Sequence, residues 1–221
     1  MTKYIVSYGG GVNSTAMIIW LVNNKKPIDY VVFADTGNEV PETYEFTEKY
    51  MKPYLVENKI EFVTVYPFGK RSLWTRCFLR KIIPSQVWRF CTRDVKVKPI
   101  HKFYKKLDSK IIQYMGIHYG EYYRMKPTKE DWIENSYPLI DNKIDQLGCL
   151  EIIKNAGLIE PVKSGCFFCC FNNKERWEWL RKTHPDLYKL SQDLEKNNKH
   201  YPKQKLILLN KSTTCDAYCM T

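Results

Sequence analysis

The chain has 221 residues and a formal net charge of +11, so it is long enough for one substantial core with a small appended module and basic enough to attract anions. It has no run of about 18 apolar residues, which excludes a membrane-spanning helix, and it enters a predicted strand at once, which leaves no room for a signal peptide. We therefore expect a cytoplasmic protein whose eight cysteines serve as thiols, metal ligands or redox groups rather than as structural disulfides.

The first predicted elements are a strand and a helix separated by a glycine-rich loop. Apolar residues at 4–6 and 16–22 indicate the strand and the helix, and three consecutive glycines allow the chain between them to turn tightly. Asn13, Ser14 and Thr15 open the helix with side chains suited to cap its free N–H groups. A helix N-terminus also carries unpaired donors and a partial positive charge, so the loop predicts a phosphate site. Its expected members are Ser7, Gly9, Gly10, Gly11, Asn13, Ser14 and Thr15.

The loop fits one of three nucleotide-binding patterns. A Walker A loop requires a lysine immediately before Ser14, and a dinucleotide fingerprint requires a glycine in place of Ser14. The pattern from Gly9 to Thr15 instead resembles the pyrophosphate-binding loop Ser-Gly-Gly-x-Asp-Ser of the N-type ATP pyrophosphatases and of their relatives, the phosphoadenosine-phosphosulfate (PAPS) reductases. Gly9 stands for the usual serine and Asn13 for the usual aspartate. The resemblance implies that the loop binds ATP with Mg²⁺; the alternative is a glycine-rich turn that binds no ligand.

The second strand leads into a segment that strengthens this resemblance. A β-branched and aromatic run at 29–34 predicts a strand that ends at Asp35, where an acid can meet the ribose or adenine of a bound nucleotide. Residues 35–44 read Asp-Thr-Gly-Asn-Glu-Val-Pro-Glu-Thr-Tyr and are similar to the Asp-Thr-Gly-x-x-(apolar)-Pro-Glu-Thr-Tyr segment of PAPS reductases. The resemblance implies that Asp35 and Thr36 bind the nucleotide.

The sequence next predicts a helix at 41–58, interrupted near Pro53, and a third strand at 61–65. These elements complete a β-α-β-α-β pattern. That order predicts a parallel sheet with ligands at its carboxyl edge. We expect an α/β fold with three α/β/α layers and an open, mostly parallel sheet, which the resemblance identifies as the Rossmann-like HUP fold of adenine nucleotide α hydrolases. An irregular basic and aromatic region at 68–89 predicts a substrate lid.

Residues 89–100 resemble the Arg-x-Cys-Thr-x-x-x-Lys-x-x-Pro segment of the same family. Relatives that carry an iron–sulfur cluster have a Cys-Cys pair here, whereas this chain has Phe90 and Cys91. Lys98, within the segment, is expected to neutralise negative charge on the nucleotide.

A fourth strand at 110–115 leads into a segment similar to the family pattern Gly-Ile-Arg-x-x-Glu-x-x-Arg. Glu121 and Arg124 match the pattern, and His118 replaces its first arginine. The resemblance implies that Arg124 neutralises a phosphate or sulfate and that Glu121 holds it in place. A plain surface ion pair is the alternative.

The chain then carries a predicted fifth strand or edge segment at 137–141. Asp141 or Asn142 caps a helix that ends at Gly157, and Cys149 inside this helix is expected to be a small core residue rather than a ligand. Two further helices are predicted at 174–183 and 185–197.

Cysteines in the last third of the chain predict a metal site. The turn at Cys166 and Cys169 presents two thiolates to one metal, and the family resemblance adds Cys91 as the third ligand. Resemblance to cluster-bearing relatives favours a [4Fe–4S] cluster with Zn²⁺ as the alternative, and in tRNA-thiolating relatives a three-cysteine cluster leaves one iron open to sulfur. A redox pair or buried thiols are the other reading. The fourth ligand stays open among Cys77, Cys170, Cys215 and Cys219.

The tail loosely resembles the C-terminus of sulfonucleotide reductases, in which a cysteine attacks sulfur. This likeness makes Cys215 a candidate catalytic residue, together with Asn13, Glu121 and Arg124.

The resemblance extends over residues 7–194 and implies two parts. Residues 1–163 are expected to form an adenine nucleotide-binding α/β domain, and residues 164–221 a cysteine-rich helical extension packed on the same domain. The implied function is adenylation of a substrate by ATP followed by sulfur transfer, with tRNA or DNA as acceptor, a sulfur or electron donor protein as partner, and an oligomer as an open option. The alternatives are a sulfonucleotide reductase that releases sulfite and a non-catalytic nucleotide- or nucleic-acid-binding module.

Overall fold

The computed structural model describes residues 1–67 and 72–199. Within these residues, five strands form one sheet in the order β3-β2-β1-β4-β5, and every neighbouring pair is parallel. The strands are β1 (Thr2–Tyr8), β2 (Tyr30–Ala34), β3 (Glu61–Val65), β4 (Lys110–Met115) and β5 (Ile133–Ser136). The predicted open parallel sheet is confirmed.

The helices lie between and after the strands. Their bounds are α1 (Val12–Asn23), α2 (Pro41–Phe46), α3 (Lys52–Glu57), α4 (Leu73–Arg80), α5 (Lys98–Lys105), α6 (Pro138–Asp141), α7 (Gln146–Asn155), α8 (Lys174–Thr183) and α9 (Pro185–Asn197). A π-helical turn at Thr47–Met51 joins α2 to α3, a second one at Cys91–Val97 precedes α5, and a 3₁₀ segment spans Tyr119–Arg124. Among the described residues, no helix combines the length and the apolar character needed to cross a membrane.

Apolar side chains cover both faces of the sheet. Successive residues of a strand point to opposite faces, and Val6 of β1 accordingly joins a core cluster with α1 and α7, whereas Ile5 joins a second cluster with Ile100 and Tyr104 of α5. Buried strands with helices on both faces are the arrangement that a parallel sheet requires. The predicted α/β/α layering is therefore confirmed.

Two of the predicted elements are wrong. The region 68–89, predicted to be irregular, contains α4, whose first turn is capped because Thr75 N donates to Ser72 Oγ at 3.2 Å. The strand predicted at 137–141 is α6, which has Pro138 in its first turn. The fifth strand lies earlier in the chain, and Ile133 pairs there with Ile111.

The boundaries of the following helix also differ from the prediction. It begins after Asp145 rather than after Asp141 or Asn142, because Asp145 Oδ1 accepts a hydrogen bond of 2.8 Å from Gly148 N. Cys149 is fully buried in the core, as predicted.

The chain divides into two compact units. The sheet unit comprises Met1–Ala34, Pro41–Val65 and Pro99–Ser164. Of the described residues, the cysteine unit contains Asp35–Val40 and the ranges 66–67, 72–98 and 165–199. The division into residues 1–163 and 164–221 stays a prediction.

Candidate functional site

The glycine loop of the sheet unit packs closely against Thr43 and Ser164. Gly10 has a φ of +77°, and a Cβ atom on it would lie 2.5 Å from Thr43 Cγ2. A Cβ atom on Gly11 would lie 2.7 Å from Ser164 Oγ. The left-handed backbone at Gly10 and these close approaches explain why the sequence has glycine here.

The first turn of α1 leaves backbone donors available. Gly11 is the N-cap, and within the described residues no side chain caps the helix. The expected capping by Asn13, Ser14 and Thr15 is wrong because these residues lie inside the helix. Ser14 Oγ instead donates to Gly11 O at 3.2 Å and accepts from Gly9 N at 3.3 Å, which closes the loop on itself. The uncapped N–H groups are suited to an anion.

Three of the predicted catalytic residues lie together beside this loop. Asn13 Nδ2 donates to Glu121 Oε2 at 3.4 Å, and Arg124 donates to the same oxygen at 2.6 Å. His118 Nε2 lies 3.8 Å from Glu121 Oε2, while His118 Nδ1 accepts a hydrogen bond from Gly120 N at 3.1 Å. The neutral tautomer of His118 therefore carries its proton on Nε2, which faces Glu121. This group places a guanidinium beside the helix N-terminus.

Gly116 is a further residue of the site whose role the sequence did not reveal. It follows β4, which pairs with β1 through Ser7 and Met115, so both strands end at the same edge of the sheet. A Cβ atom on Gly116 would lie 2.8 Å from Ser14 Cα and 2.9 Å from Ser14 N. The end of β4 thus supports the first turn of α1 directly. The one sequence signal for this role is that a glycine directly follows a predicted strand.

In the cysteine unit, residues 35–40 support the cysteine turn. Phe167 N donates to Asn38 O at 2.9 Å, and Leu73 N donates to Thr36 O at 3.0 Å. Glu39 and Cys166 form an antiparallel bridge, and Thr36 Oγ1 lies 3.2 Å from Cys166 Sγ. The segment that resembles the family motif is therefore part of the frame that holds the cysteines.

Glu39 and Lys96 are charged residues of the cysteine unit that the sequence analysis did not select. The Glu39 side chain is 1% exposed, and Lys96 Nζ lies 3.5 Å from Glu39 Oε1. Burial raises the pKa of the Glu39 carboxyl, and the Lys96 ammonium opposes that shift. A buried acid and its lysine partner thus lie beside Cys166 of the cysteine turn. Their distance along the sequence explains why no local pattern pointed to them.

The three predicted ligand cysteines influence one another electrostatically. Burial raises the pKa of Cys91, and the charge of Cys169 raises it further, while Lys96 lowers it. Burial raises the pKa of Cys166 well above its ordinary value, with smaller upward contributions from Glu39 and Cys169. These shifts favour the neutral thiols. A bound cation would oppose them by stabilising the thiolates, which are good ligands for soft metals.

The described cysteine side chains are not arranged as a metal site. Within residues 1–67 and 72–199, no group of three or more His, Cys, Asp or Glu side chains is placed to hold a metal ion. Cys77 is fully buried, and burial raises its pKa to about 12. None of the described cysteines is in a disulfide. Cys215 and Cys219 lie outside the described residues.

The other expected nucleotide ligands have partners inside the cysteine unit. Asp35 Oδ1 accepts a hydrogen bond of 2.7 Å from Gly37 N. Lys98 Nζ lies 2.9 Å from Asp94 Oδ1, and Thr36 contacts Cys166 as described. Their roles toward a nucleotide stay predictions.

Comparison with known proteins gives a family match and two structural likenesses. The family model described as phosphoadenosine phosphosulfate reductase domain matches residues 3–117. No curated protein matches the chain. The phosphoadenylyl-sulfate (PAPS) reductase from Candida auris, in a phosphate complex, is 16% identical over 72% of this chain and 75% of its own, with a TM-score of 0.53. The U34-tRNA thiolase NcsA from Methanococcus maripaludis, with its [4Fe–4S] cluster, is 15% identical over 90% of this chain and 72% of its own, with a TM-score of 0.49. The first of these likenesses shows a shared fold.

Proposed function

Because the chain belongs to the phosphoadenosine phosphosulfate reductase domain family, we propose that it is an enzyme that uses ATP with Mg²⁺ to adenylate a nucleic acid for sulfur transfer. The observation that carries this proposal is the group formed by Asn13, Glu121 and Arg124 at the N-terminus of α1. Uncapped N–H groups and an oriented guanidinium suit the negative charge of a triphosphate. Glu121 orients Arg124 through its hydrogen bond of 2.6 Å.

The proposed reaction has two displacements. An oxygen of the acceptor attacks the α-phosphorus of ATP, the bond from that phosphorus to the bridging oxygen breaks, and pyrophosphate leaves with the electron pair. Hydrosulfide then attacks the activated carbon, and AMP leaves with the former acceptor oxygen. Arg124 and the N–H groups of the loop neutralise the charge that develops on the phosphates. No oxidant or reductant is consumed when hydrosulfide is the sulfur source.

The cysteine unit would supply the sulfur-handling site. Cys91, Cys166 and Cys169 would hold a [4Fe–4S] cluster, or Zn²⁺ as the alternative metal. Held by these three thiolates, such a group would supply the chemistry for binding inorganic sulfur. Thr36 would orient Cys166, and Lys96 would offset the negative charge of the thiolates.

The test is ATP cleavage by the purified protein with Mg²⁺, hydrosulfide and tRNA or DNA. Wild type is expected to form AMP and pyrophosphate, and Arg124→Ala and Glu121→Gln are expected to slow this at least about 100-fold. Glu134→Gln is the matched control, because Glu134 forms an exposed ion pair with Lys110 in the same unit. ATP binding without AMP or pyrophosphate would instead support a non-catalytic binding module.

Reduction of a sulfonucleotide is the second candidate function. The family match to PAPS reductase domains supports it. It predicts sulfite release that depends on thioredoxin and disappears in Cys215→Ser. Sulfite release that persists in this variant, or no release from wild type, would reject this candidate.

A further inference from the structure

Three tyrosine rings project from the segment that also carries Glu121 and Arg124. Tyr119, Tyr122 and Tyr123 are 44%, 62% and 52% exposed. The ring centroids of Tyr119 and Tyr122 lie 6.4 Å apart, and those of Tyr122 and Tyr123 lie 6.2 Å apart. These three residues, called here the tyrosine surface, are a connected set of exposed aromatic rings.

The backbone under the tyrosine surface is anchored on both sides. Tyr119 N donates to Ile144 O at 2.7 Å. After the segment, Lys126 N donates to Tyr137 Oη at 3.2 Å, and Tyr137 Oη donates to Lys126 O at 2.8 Å. The ion pair between Glu121 and Arg124 ties the two ends of the turn together. The backbone that carries the rings is thus fixed before any ligand arrives, so binding has to order only the side chains.

Three exposed lysines adjoin the tyrosine surface, in segments that also carry acidic residues. Lys126 and Lys129 are exposed in the chain that follows it, and exposed Lys143 adjoins Ile144, the residue that anchors Tyr119. The whole chain carries a net charge of +11. Rings flanked by lysines match a ligand that has flat aromatic faces on a chain of negative charges.

We propose that the tyrosine surface stacks unpaired bases of a single-stranded nucleic acid whose phosphates contact Lys126, Lys129 and Lys143. The inference rests on the proposed function, since it assigns the acceptor to a surface of the sheet unit that adjoins the Glu121 and Arg124 pair. Bases inside a duplex are already stacked on one another, so exposed rings favour single strands. Stacking on tyrosine is tolerant of sequence, because every base has an aromatic face.

The test is binding of fluorescein-labelled oligouridylate and oligothymidylate of about ten nucleotides, measured by anisotropy. The variant Tyr122→Ala/Tyr123→Ala is expected to weaken binding at least about tenfold. The matched variant Tyr122→Phe/Tyr123→Phe keeps both rings and is expected to stay within about twofold of wild type. Lys126→Ala/Lys129→Ala is expected to reduce the dependence of affinity on salt, because fewer counterions are released. A duplex of equal length is expected to bind the alanine and wild-type proteins alike.

Equal affinity of the alanine variant and wild type for single strands would overturn the proposal. A wild-type dimer that the alanine variant loses, seen by light scattering, would also overturn it, because the rings would then be buried against a second copy. ATP cleavage is measured on the same preparations. If single strands bind through the rings but ATP is not cleaved, the proposed function alone is rejected. If ATP is cleaved but single-strand binding does not depend on the rings, the tyrosine surface alone is rejected as a binding site.

Discussion

Gly116 supports the glycine loop through backbone contact, and this makes its substitution informative. The atoms that a new Cβ would meet are Ser14 Cα and Ser14 N, which no rotamer change can move. Gly116→Ala is therefore expected to displace the first turn of α1 and to weaken ATP binding about tenfold. Titration calorimetry with ATP measures this directly.

Gly157→Ala is the control for the Gly116 prediction. Gly157 has a φ of +72°, and among the described residues no atom outside its own stretch of chain lies within 4 Å of the position a Cβ would take. Its substitution strains the backbone by about 1 kcal/mol without a collision. Stability is expected to fall while ATP affinity is unchanged. Equal loss of affinity in both variants would show that general destabilisation, and not the contact with Ser14, causes the effect.

Asn13 allows a prediction about metal dependence. Its amide donates to Glu121 at 3.4 Å, so Asn13→Asp would remove this donor and place two carboxylates in contact. Thermal unfolding without Mg²⁺ is expected to show a loss of about 1 kcal/mol. Millimolar Mg²⁺ should restore stability, because paired carboxylates bind this ion. Asn13→Ala also loses the hydrogen bond but should not respond to Mg²⁺. Identical behaviour of the two variants would contradict Mg²⁺ binding by the carboxylate pair that Asn13→Asp creates.

At the scale of elements, Asp94 joins α4 to the π-helical turn before α5. Arg93 Nε and Lys98 Nζ each lie 2.9 Å from Asp94 Oδ1, and Arg76 NH2 lies 3.6 Å from Oδ2. The hydrogen bond from Arg93, followed by that from Lys98, holds the pKa of Asp94 well below its usual range. Because Arg93 and Lys98 are themselves exposed, Asp94→Asn is expected to lower the free energy of unfolding by only about 1 kcal/mol at neutral pH.

The pH dependence of the Asp94 effect has a defined sign. Since the pKa is lower in the folded state, the ionised carboxylate stabilises the fold above the ordinary aspartate pKa of about 3.9, and this contribution is lost as the pH falls toward the folded-state value. The free energies of unfolding of wild type and Asp94→Asn, measured with urea at a series of pH values, should therefore converge below about pH 4. Glu48→Gln, which breaks the exposed pair with Lys52, should cost about 0.5 kcal/mol or less. A difference for Asp94→Asn that is independent of pH would contradict an electrostatic cause.

The sequence predicted those elements that have a local signal, such as an apolar run. Strands β1 to β4 are apolar runs bounded by turns or helices, and the sequence predicted them. Strand β5 has one buried residue, Ile133, because its position at the edge of the sheet does not require an apolar run. Helix α4 was missed because its cap, Ser72, lies in a basic and aromatic stretch without a long apolar period.

At the scale of the whole molecule, the predicted site residues fall into two compact units. The glycine loop, Glu121 and Arg124 belong to the sheet unit, and Cys91, Cys166, Cys169, Asp35 and Thr36 belong to the cysteine unit. Sequence reasoning identified these residues through motif resemblance. It did not identify the contact of Thr36 with Cys166 or the pair of Glu39 with Lys96, because both join distant parts of the chain.

The metal content of the whole protein is the last prediction. Protein purified without oxygen is expected to contain about four irons per chain and to absorb broadly in the visible range. Cys91→Ser, Cys166→Ser and Cys169→Ser should each lose the iron, because each removes a thiolate from the cysteine unit. Cys149→Ala is the control, since this thiol is buried in the core of the sheet unit, and it should keep the iron. One zinc per chain lost in the same three variants would support the alternative metal, whereas wild type without metal would contradict both and leave the cysteines as thiols or a redox pair.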